Sequence, residues 1–296
     1  MLRSAAVLRA LYSDLDGTLL GPGGSLFRDG DGGFSLSAAR ALEACARAGV
    51  EVVTVTGRRQ QGVDELMRLM GQRSYIFELG CGLVLDGELE WLTGDCVPSP
   101  ERGTIYTQIA ASGGPQRLLE AFKGRLEYHT PWSEGREVSH LFRGEVPLDE
   151  ANELLGQAGL GWLRLVDNGL IAGHGMRDDS RPHATETVRS SRYADEAAGR
   201  LHAYHLIPAC ASKARAVARH MQNRAYGAEE CIACGDSRED LEVADVVGTF
   251  WLTANAAAHD PTIPEAIDGR RNVRVSSDGY GAGVYEAVVT TLAESR

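Results

Sequence analysis

The sequence predicts an α/β protein built on a Rossmann-like parallel sheet that is interrupted by a smaller α+β unit. Strand-like and helix-like segments alternate over residues 9–79, which is typical of right-handed strand–helix–strand crossovers. The same alternation returns at about residue 212. Between the two lies a polar region, containing Gly and Pro, in which short strands and helices mix. A domain inserted into one α/β core explains this order better than two domains in series.

The first half of the predicted core is the more regular one. Its predicted strand, helix, strand, helix and strand cover residues 9–15, 35–48, 50–55, 59–70 and 75–79. The third of these, VEVVTV, is a nearly continuous β-branched run, as found in strands that are buried on both faces of a parallel sheet. Gly49 ends the preceding helix. This half therefore predicts a sheet covered by helices on both sides.

The inserted region begins near a hairpin signal, Asp86-Gly87, within residues 83–92. We predict a discontinuous core domain over residues 1–86 and 208–296 and an inserted domain over 87–207. Within the insertion, strands are predicted over 139–143 and 162–166 and helices over 115–123 and 148–158. After it, the core resumes with a helix, a strand and a helix over 212–223, 231–234 and 237–247.

Composition excludes several partner classes. The chain has 296 residues, 30 Lys and Arg against 41 Asp and Glu, and a formal net charge of −11. This balance argues against general nucleic-acid binding and against docking on anionic membranes, because both need clustered cations. No apolar run is long enough to span a membrane. Arg9 interrupts the apolar stretch of residues 1–10, so we expect no secretory signal and a cytoplasmic protein.

A CxxC pair, Cys231 and Cys234, has two possible functions, a redox centre or half of a zinc site. A reactive pair usually lies at a helix N-terminus, whereas ECIACGDS is typical of a short buried strand ending at Gly235. No second CxxC completes a metal cage. We therefore predict that both cysteines are core residues.

The strongest chemical signal is DLDGTLL, in which Asp14 and Asp16 follow the first predicted strand. Ligands of open α/β sheets bind beyond the carboxyl ends of the strands. Paired carboxylates repel each other and imply a bound cation or a shared proton. With Mg²⁺ present, one carboxylate can attack phosphorus while the other transfers a proton. The alternative for this segment is an ordinary Asp-Gly turn.

The segment Thr56-Gly57-Arg58 ends the second strand at an equivalent edge of the sheet. A Thr hydroxyl and the backbone N–H groups that follow it can hold phosphate oxygens. An ordinary helix cap is the other interpretation of Thr56.

Three further residues complete the set of candidates. Lys213 lies near a helix start, where its charge opposes the helix dipole unless an anion faces it. It can neutralise both an attacking carboxylate and a phosphate. Asp236 follows another strand, where it suits a hard cation. Ser237 and Asp240 have capping-box spacing, so Asp240 can be a cap, a metal ligand, or both.

Together, DLDGTLL, VTGR, the Lys of SKARAV and GDSREDLEVA resemble the four motifs of haloacid dehalogenase superfamily phosphatases. Residues 57–212 separate the second motif from the third, and this is where one branch of the superfamily inserts a large α/β cap domain. The chain is similar to the branch of the Cof-type sugar phosphatases, sucrose-phosphate phosphatase and mannosyl-3-phosphoglycerate phosphatase.

The resemblance implies a role for each motif residue. Asp14 is the nucleophile that forms an aspartyl-phosphate, and Asp16 is the acid and base. Thr56, with Gly57 and Arg58, and Lys213 hold the phosphoryl group. Mg²⁺ is bound by Asp14, the backbone carbonyl of Asp16 and Asp236, with Asp240 beside them. The implied activity is Mg²⁺-dependent hydrolysis of a small phosphorylated substrate, such as a sugar phosphate or a phosphorylated glycoside.

Two alternatives share part of this chemistry: a phosphotransferase or mutase of the same superfamily, and a phospho-accepting signalling module. The sequence also departs from the family pattern at Glu239, where Asn is usual, and at Leu79, where Asn is common. Glu239 either adds negative charge beside the metal or turns outward. Polar and aromatic residues of the insertion could contact a substrate, although none is singled out: His129, His140, Arg143, His174, Arg177, His183, Tyr128, Trp132 and Trp162.

Overall fold

The protein contains two β-sheets in the computed structural model, which describes residues 7–171 and 201–295. The described strands are β1 (Ala10–Ser13), β2 (Glu51–Val55), β3 (Tyr75–Phe77), β4 (Gly82–Leu85), β5 (Glu88–Trp91), β6 (Leu126–Tyr128), β7 (His140–Gly144), β8 (Leu163–Leu170), β9 (His202–Pro208), β10 (Cys231–Gly235), β11 (Thr249–Leu252) and β12 (Val273–Val275). The described α-helices are α1 (Ser37–Ala48), α2 (Gln60–Leu69), α3 (Ile105–Ala111), α4 (Gly114–Ala121), α5 (Leu148–Gln157), α6 (Lys213–Arg224), α7 (Ala256–His259), α8 (Ile263–Ile267) and α9 (Tyr280–Glu294). Short 3₁₀ segments cover Pro22–Gly24, Glu78–Gly80, Ala228–Glu230 and Asp240–Asp245.

The larger sheet has eight strands in the order β12-β11-β10-β1-β2-β3-β4-β5. Pairing is parallel from β12 to β3, and β4 and β5 add an antiparallel hairpin. The chain fills one side of β1 with β2 and β3 and returns later to fill the other side with β10. β1 is therefore the point at which the strand order reverses, the usual place for a ligand site in such sheets. The predicted α/β fold class is confirmed.

The central strands β1, β2 and β10 are buried on both faces, and their alternate residues point to opposite sides of the sheet. Tyr12 and Val53 belong to an apolar cluster that includes residues of α6, whereas Leu11 and Val52 belong to one that includes residues of α1 and α9. The continuous β-branched run in β2 follows from burial on both sides. Cys231 and Cys234 are buried free thiols in β10, as predicted.

The smaller sheet is wholly antiparallel, with the order β6-β7-β9-β8. Its apolar cluster contains residues of α3, α4 and α5, for example Ile109, Leu118 and Leu155 together with Phe142 and Leu206 of the strands. The inserted region therefore forms an α+β layer of its own.

The predicted hairpin signal at Asp86-Gly87 is present as a two-residue turn, with φ of 53° and 94°. Both strands of this hairpin, β4 and β5, belong to the eight-stranded sheet. The boundary that we predicted between residues 86 and 87 thus falls inside one hairpin. The division into 1–86, 208–296 and 87–207 stays a prediction.

One predicted element was wrong in type. In place of a helix over 237–247, the chain forms a 3₁₀ segment over Asp240–Asp245. The Asp240 carboxylate accepts the backbone N–H groups of Asp236 and Ser237, which holds residues 236–240 in a tight turn. Within residues 7–171 and 201–295, no helix has the length and apolar character needed to cross a membrane.

A close approach at Gly80 gives a stability prediction. Gly80 has φ of 90°, and a Cβ there would overlap the backbone of Ser212 at the start of α6. We expect Gly80→Ala to lower the free energy of unfolding by about 3 kcal/mol, since strain and overpacking add. Urea unfolding followed by circular dichroism measures this.

The matched control is Gly156→Ala within α5, where a Cβ would meet open space. That change should stabilise the protein by about 0.5–1 kcal/mol. Equal free energies of unfolding for Gly80→Ala and the wild type would contradict the close approach.

Candidate active site

Three parallel strands end at one edge of the large sheet and deliver the predicted residues there. Asp14 follows β1, Thr56 follows β2, and Asp236 follows β10. The central strand β1 pairs with both of the others. Because the carboxyl ends of parallel strands share an edge, residues far apart in sequence meet at the point where the strand order reverses.

Lys213 is the centre of the site. It is the first residue of α6 and is 1% exposed. Its Nζ lies 3.2 Å from Asp14 Oδ1, 2.7 Å from Asp240 Oδ1 and 2.7 Å from Glu239 Oε2. Anionic groups therefore face Lys213, as predicted, and three carboxylates surround its ammonium group.

The surplus of negative charge shifts the protonation of these groups. Burial alone would lower the pKa of Lys213, but the charges of Asp14, Asp240 and Glu239 raise it well above its usual value. Burial raises the pKa of Asp14 well above its usual value. Lys213 opposes this rise, whereas the carboxylates of Asp240 and Asp236 reinforce it. Without a further cation, the cluster favours protonated carboxyl groups.

Glu239 turns inward, which decides between the two orientations that the sequence left open. It is 6% exposed, and its contact with Lys213 is an ion pair without hydrogen-bond geometry. Burial raises the pKa of Glu239 to about 7, although Lys213 opposes the rise. The residue that replaces the usual Asn therefore adds a carboxylate to the Lys213 cluster.

Asp236 is held by a second group of contacts. The Thr18 hydroxyl donates to its Oδ1 at 2.9 Å, and the Asn255 amide lies 3.4 Å from its Oδ2. His259 Nδ1 lies 3.5 Å from the same oxygen. Sequence reasoning missed all three residues, although Thr18 belongs to the DLDGTLL motif itself. Asn255 and His259 lie on the loop and helix after β11 and carried no signal.

Asp240 caps the turn that follows β10, as its spacing from Ser237 predicted, and it also pairs with Lys213. Its Oδ2 accepts hydrogen bonds from the Ser237 hydroxyl and from the backbone N–H groups of Asp236 and Ser237, while Oδ1 accepts one from Lys213. Because both oxygens have protein donors, Asp240 orients the loop that carries Asp236. Its role as a metal ligand stays a prediction.

The donor set fits a hard divalent cation. Carboxylate oxygens of Asp14, Asp236 and Asp240 lie within 4.8 Å of one another. Burial raises the pKa of Asp236 as well, with a contribution from the charge of Asp240. A cation would relieve both the burial of charge and the mutual repulsion, and an all-oxygen donor set suits Mg²⁺. These residues therefore could hold the predicted metal.

The Asp16 carboxylate points away from this cluster. It forms a bidentate pair with Arg58, with Nε to Oδ2 at 2.6 Å and Nη2 to Oδ1 at 2.5 Å. The side chain of Asp16 is 56% exposed, so it lies at the mouth of the site. Asp16 of DLDGTLL and Arg58 of VTGR thus contact each other directly.

The segment after β2 contains the predicted residues Thr56, Gly57 and Arg58. The Thr56 hydroxyl accepts a hydrogen bond from the backbone N–H of Arg58 at 3.2 Å, within the turn before α2, and the N-cap of that helix is Arg59 rather than Thr56. Gly57 lies between these two residues and touches the smaller sheet. Thr56 and Gly57 are therefore placed where the two sheets meet.

The sequence named several polar and aromatic residues of the inserted region as possible substrate contacts, and the structure describes six of them. His140 is buried between the Tyr128 hydroxyl and the Tyr106 carbonyl, and Arg143 pairs with Glu127, so both have partners within the insertion. Trp132, Trp162 and His129 are at least partly exposed in the described structure. The remaining candidates lie outside the described residues: His174, Arg177 and His183.

Comparison with solved structures identifies the fold. A sucrose-phosphatase from Synechocystis sp., solved with sucrose and phosphate, is 15% identical and superposes with a TM-score of 0.62, covering 96% of this chain and 98% of its own. A haloalkanoate dehalogenase superfamily phosphatase from Bacteroides thetaiotaomicron is 17% identical, with a TM-score of 0.62 and coverage of 98% and 97%. A Thermoplasma acidophilum protein is 17% identical, with a TM-score of 0.60 and coverage of 98% and 100%.

No protein-family model and no curated protein matches the sequence. The chain nevertheless has the fold of the haloacid dehalogenase superfamily over almost its whole length, as the four motifs predicted.

The buried Glu239 gives a pH prediction. Its carboxyl pKa is about 7 in the fold against a usual 4.5, so the folded state binds more protons between these values. The free energy of unfolding should therefore fall as pH rises from 4.5 to 7, by up to about 3 kcal/mol. Because the raised pKa values of Asp14 and Asp236 contribute a decline of the same sign, Glu239→Gln should make the decline shallower by this amount rather than abolish it, as measured by urea unfolding in EDTA.

Glu242→Gln is the matched control, because that side chain is 42% exposed. It should leave the decline unchanged. If the Glu239→Gln and wild-type curves run parallel from pH 4.5 to 7, Glu239 does not carry the buried charge.

Proposed function

We propose that this protein is a Mg²⁺-dependent phosphatase that hydrolyses a small phosphomonoester through an aspartyl-phosphate intermediate. The observation that carries the proposal is the buried Asp14 carboxylate at the end of the central strand, 3.2 Å from Lys213 and beside two further aspartates. A nucleophile, a buried cation and a hard-metal donor set are the parts that phosphoryl transfer needs.

In the first step, an Asp14 oxygen attacks phosphorus and the ester oxygen leaves with a proton from Asp16. Lys213 neutralises the charge on the carboxylate and on the phosphoryl oxygens, which the Thr56 hydroxyl and nearby N–H groups also hold. The product of this step is the free alcohol and a mixed anhydride on Asp14.

In the second step, Asp16 takes a proton from a water that attacks the anhydride. This releases inorganic phosphate and restores the Asp14 carboxylate. Asp16 is paired with Arg58 in the structure. A bound phosphoryl group offers Arg58 a second anion, and this exchange frees Asp16 to reach the leaving oxygen.

Asp14, the backbone carbonyl of Asp16 and Asp236 would hold Mg²⁺, with Asp240 orienting the loop of Asp236. When bound, the ion supplies positive charge that lowers the carboxylate pKa values and stabilises negative charge on phosphoryl oxygens.

The proposed substrate is a sugar phosphate or a phosphorylated glycoside. The similarity to a sucrose-phosphatase solved with sucrose and phosphate supports this class. The net charge of −11 makes nucleic acid and anionic membranes unfavourable partners. A small substrate with one phosphate remains compatible, because bound Mg²⁺ together with Lys213 would offset the carboxylates of the site.

Replacement of the nucleophile tests the mechanism. We expect Asp14→Asn to lower kcat on p-nitrophenyl phosphate by at least about a thousandfold, because an amide cannot form the covalent intermediate. Steady-state kinetics measure the loss, and circular dichroism verifies the fold. Asp268→Asn, at an exposed position, is the control and should be unchanged. Wild-type turnover by Asp14→Asn would exclude the mechanism.

Metal dependence is a separate prediction. Excess EDTA should abolish p-nitrophenyl phosphate hydrolysis, and added Mg²⁺ should restore it. Asp236→Asn should raise the Mg²⁺ concentration for half-maximal activity more than about tenfold, because one anionic ligand is lost. Asp245→Asn, whose parent side chain is 72% exposed, serves as the control. Full activity in EDTA would refute the metal assignment.

A further inference from the structure

Two residues of the smaller sheet lie directly against the proposed phosphate-binding segment. A Cβ at Gly57 would be 3.0 Å from Asn168 Nδ2 of β8 and 3.3 Å from His205 Nε2 of β9. The nitrogen ends of both side chains are therefore aimed at the segment that carries Thr56 and Arg58. Neither residue was predicted from the sequence.

The surroundings of His205 place its ring beside the site. Its exposed fraction is 2%, and burial lowers its pKa well below the usual value. The positive charges of Arg136 and Lys213 lower it further, so Lys213 is within electrostatic reach of the ring. His205 is therefore a neutral imidazole whose Nε2 faces Gly57.

A hydrogen-bond relay leads to the ring of His205. Arg136 Nε donates to Ser139 Oγ at 2.7 Å, and a guanidinium can only donate. Ser139 Oγ lies 3.0 Å from His205 Nδ1. The single hydrogen of the hydroxyl has two acceptors, Nδ1 and the Glu78 carboxylate. Donation to Nδ1 leaves the proton of the neutral ring on Nε2, the nitrogen that faces Gly57.

The relay is anchored by Glu78, which is 0% exposed. Its carboxylate accepts the backbone N–H groups of Glu137 and Ser139 at 2.9 and 2.5 Å, and Arg136 Nε lies 3.5 Å away. Burial opposes ionisation, but the charge of Arg136 and these donors lower the pKa of Glu78 below its usual value. Arg136 also donates to the Gly57 carbonyl. The relay therefore attaches the inserted region to the phosphate-binding segment.

We propose that His205 is a specificity-determining residue that donates its Nε2–H to a hydroxyl oxygen of the substrate's alcohol part, with Asn168 as its neighbour. Glu78, Arg136 and Ser139 are positioning residues that hold the ring in this state. The inference rests on the proposed function and narrows its substrate class.

The charge of these groups determines which class is preferred. His205 and Asn168 are neutral, whereas a substrate carboxylate or second phosphate binds best to cationic donors. Arg136 is committed to Ser139, to the Gly57 carbonyl and to the Trp132 carbonyl. The site therefore favours polyhydroxylated monophosphates over phosphoglycerates and bisphosphates.

Kinetics on two probes test the assignment. For glucose 6-phosphate, His205→Leu should lower kcat/KM about 10- to 100-fold, because a buried hydrogen bond is lost. For p-nitrophenyl phosphate, which lacks hydroxyls beside the ester, the change should stay within about threefold. His205→Gln retains an N–H donor and should recover most of the loss. Equal losses on both probes, or a wild-type preference for 3-phosphoglycerate over glucose 6-phosphate, would overturn the proposal.

Nitrogen NMR gives a readout that is independent of activity. In protein labelled with ¹⁵N-histidine, the His205 resonances should show the neutral Nε2–H tautomer, and Ser139→Ala should shift the population toward Nδ1–H. A wild-type ring protonated on Nδ1 would refute the relay. If the wild type hydrolyses no phosphate ester, the proposed function fails. If it hydrolyses p-nitrophenyl phosphate but His205→Leu leaves both probes unchanged, only this inference fails.

Discussion

The burial of one ammonium group among three carboxylates is the constraint on which the rest of the structure depends. Lys213 opens α6, where its charge opposes the helix dipole, so its burial is tolerable only with anions around it. Asp14 arrives from β1, and Glu239 and Asp240 from the turn after β10. The strand order that brings β10 beside β1 makes this meeting possible. A divalent cation would relieve the surplus of negative charge that remains.

Glu78 imposes a second constraint, because it joins the two sheets at the segment Thr56-Gly57-Arg58. The chain from Glu78 to Gly80 has φ of 45°, 58° and 90°, and this bend lets a buried carboxylate reach the backbone of residues 137–139. Arg136 completes the junction at the Gly57 carbonyl. Leu79, where the family pattern has Asn, lies fully buried within the bend and belongs to the apolar cluster of the smaller sheet. In the proposed function, phosphate binding and leaving-group recognition therefore share one segment of backbone.

Local patterns predicted the elements and the edge of the sheet, because strand periodicity and turn chemistry depend on neighbouring residues. VEVVTV and Asp86-Gly87 are such cases. The orientation of Glu239 depends on Lys213, which approaches from another element, and no local pattern shows it. The pairing of Asp16 with Arg58 likewise depends on a contact across the fold. The sequence did not single out His205, because its proposed role depends on Arg136 and Ser139, which only the fold brings next to its ring.

The acidic character of the chain has a different meaning at the site than over the whole surface. Lys213 and Arg58 face aspartates, whereas the two side chains nearest Gly57 on the smaller sheet, His205 and Asn168, are neutral, and the charges of Arg136 and Glu78 behind them are paired with each other. Charged partners bind a phosphate strongly but hardly distinguish one ester from another. Neutral donors in a buried setting bind more weakly, yet they discriminate, because an unmatched group there loses its hydrogen bond to water without replacement. In the proposed function, rate and selectivity therefore depend on opposite ends of the substrate, and Gly57, which has no side chain, leaves space between the two groups.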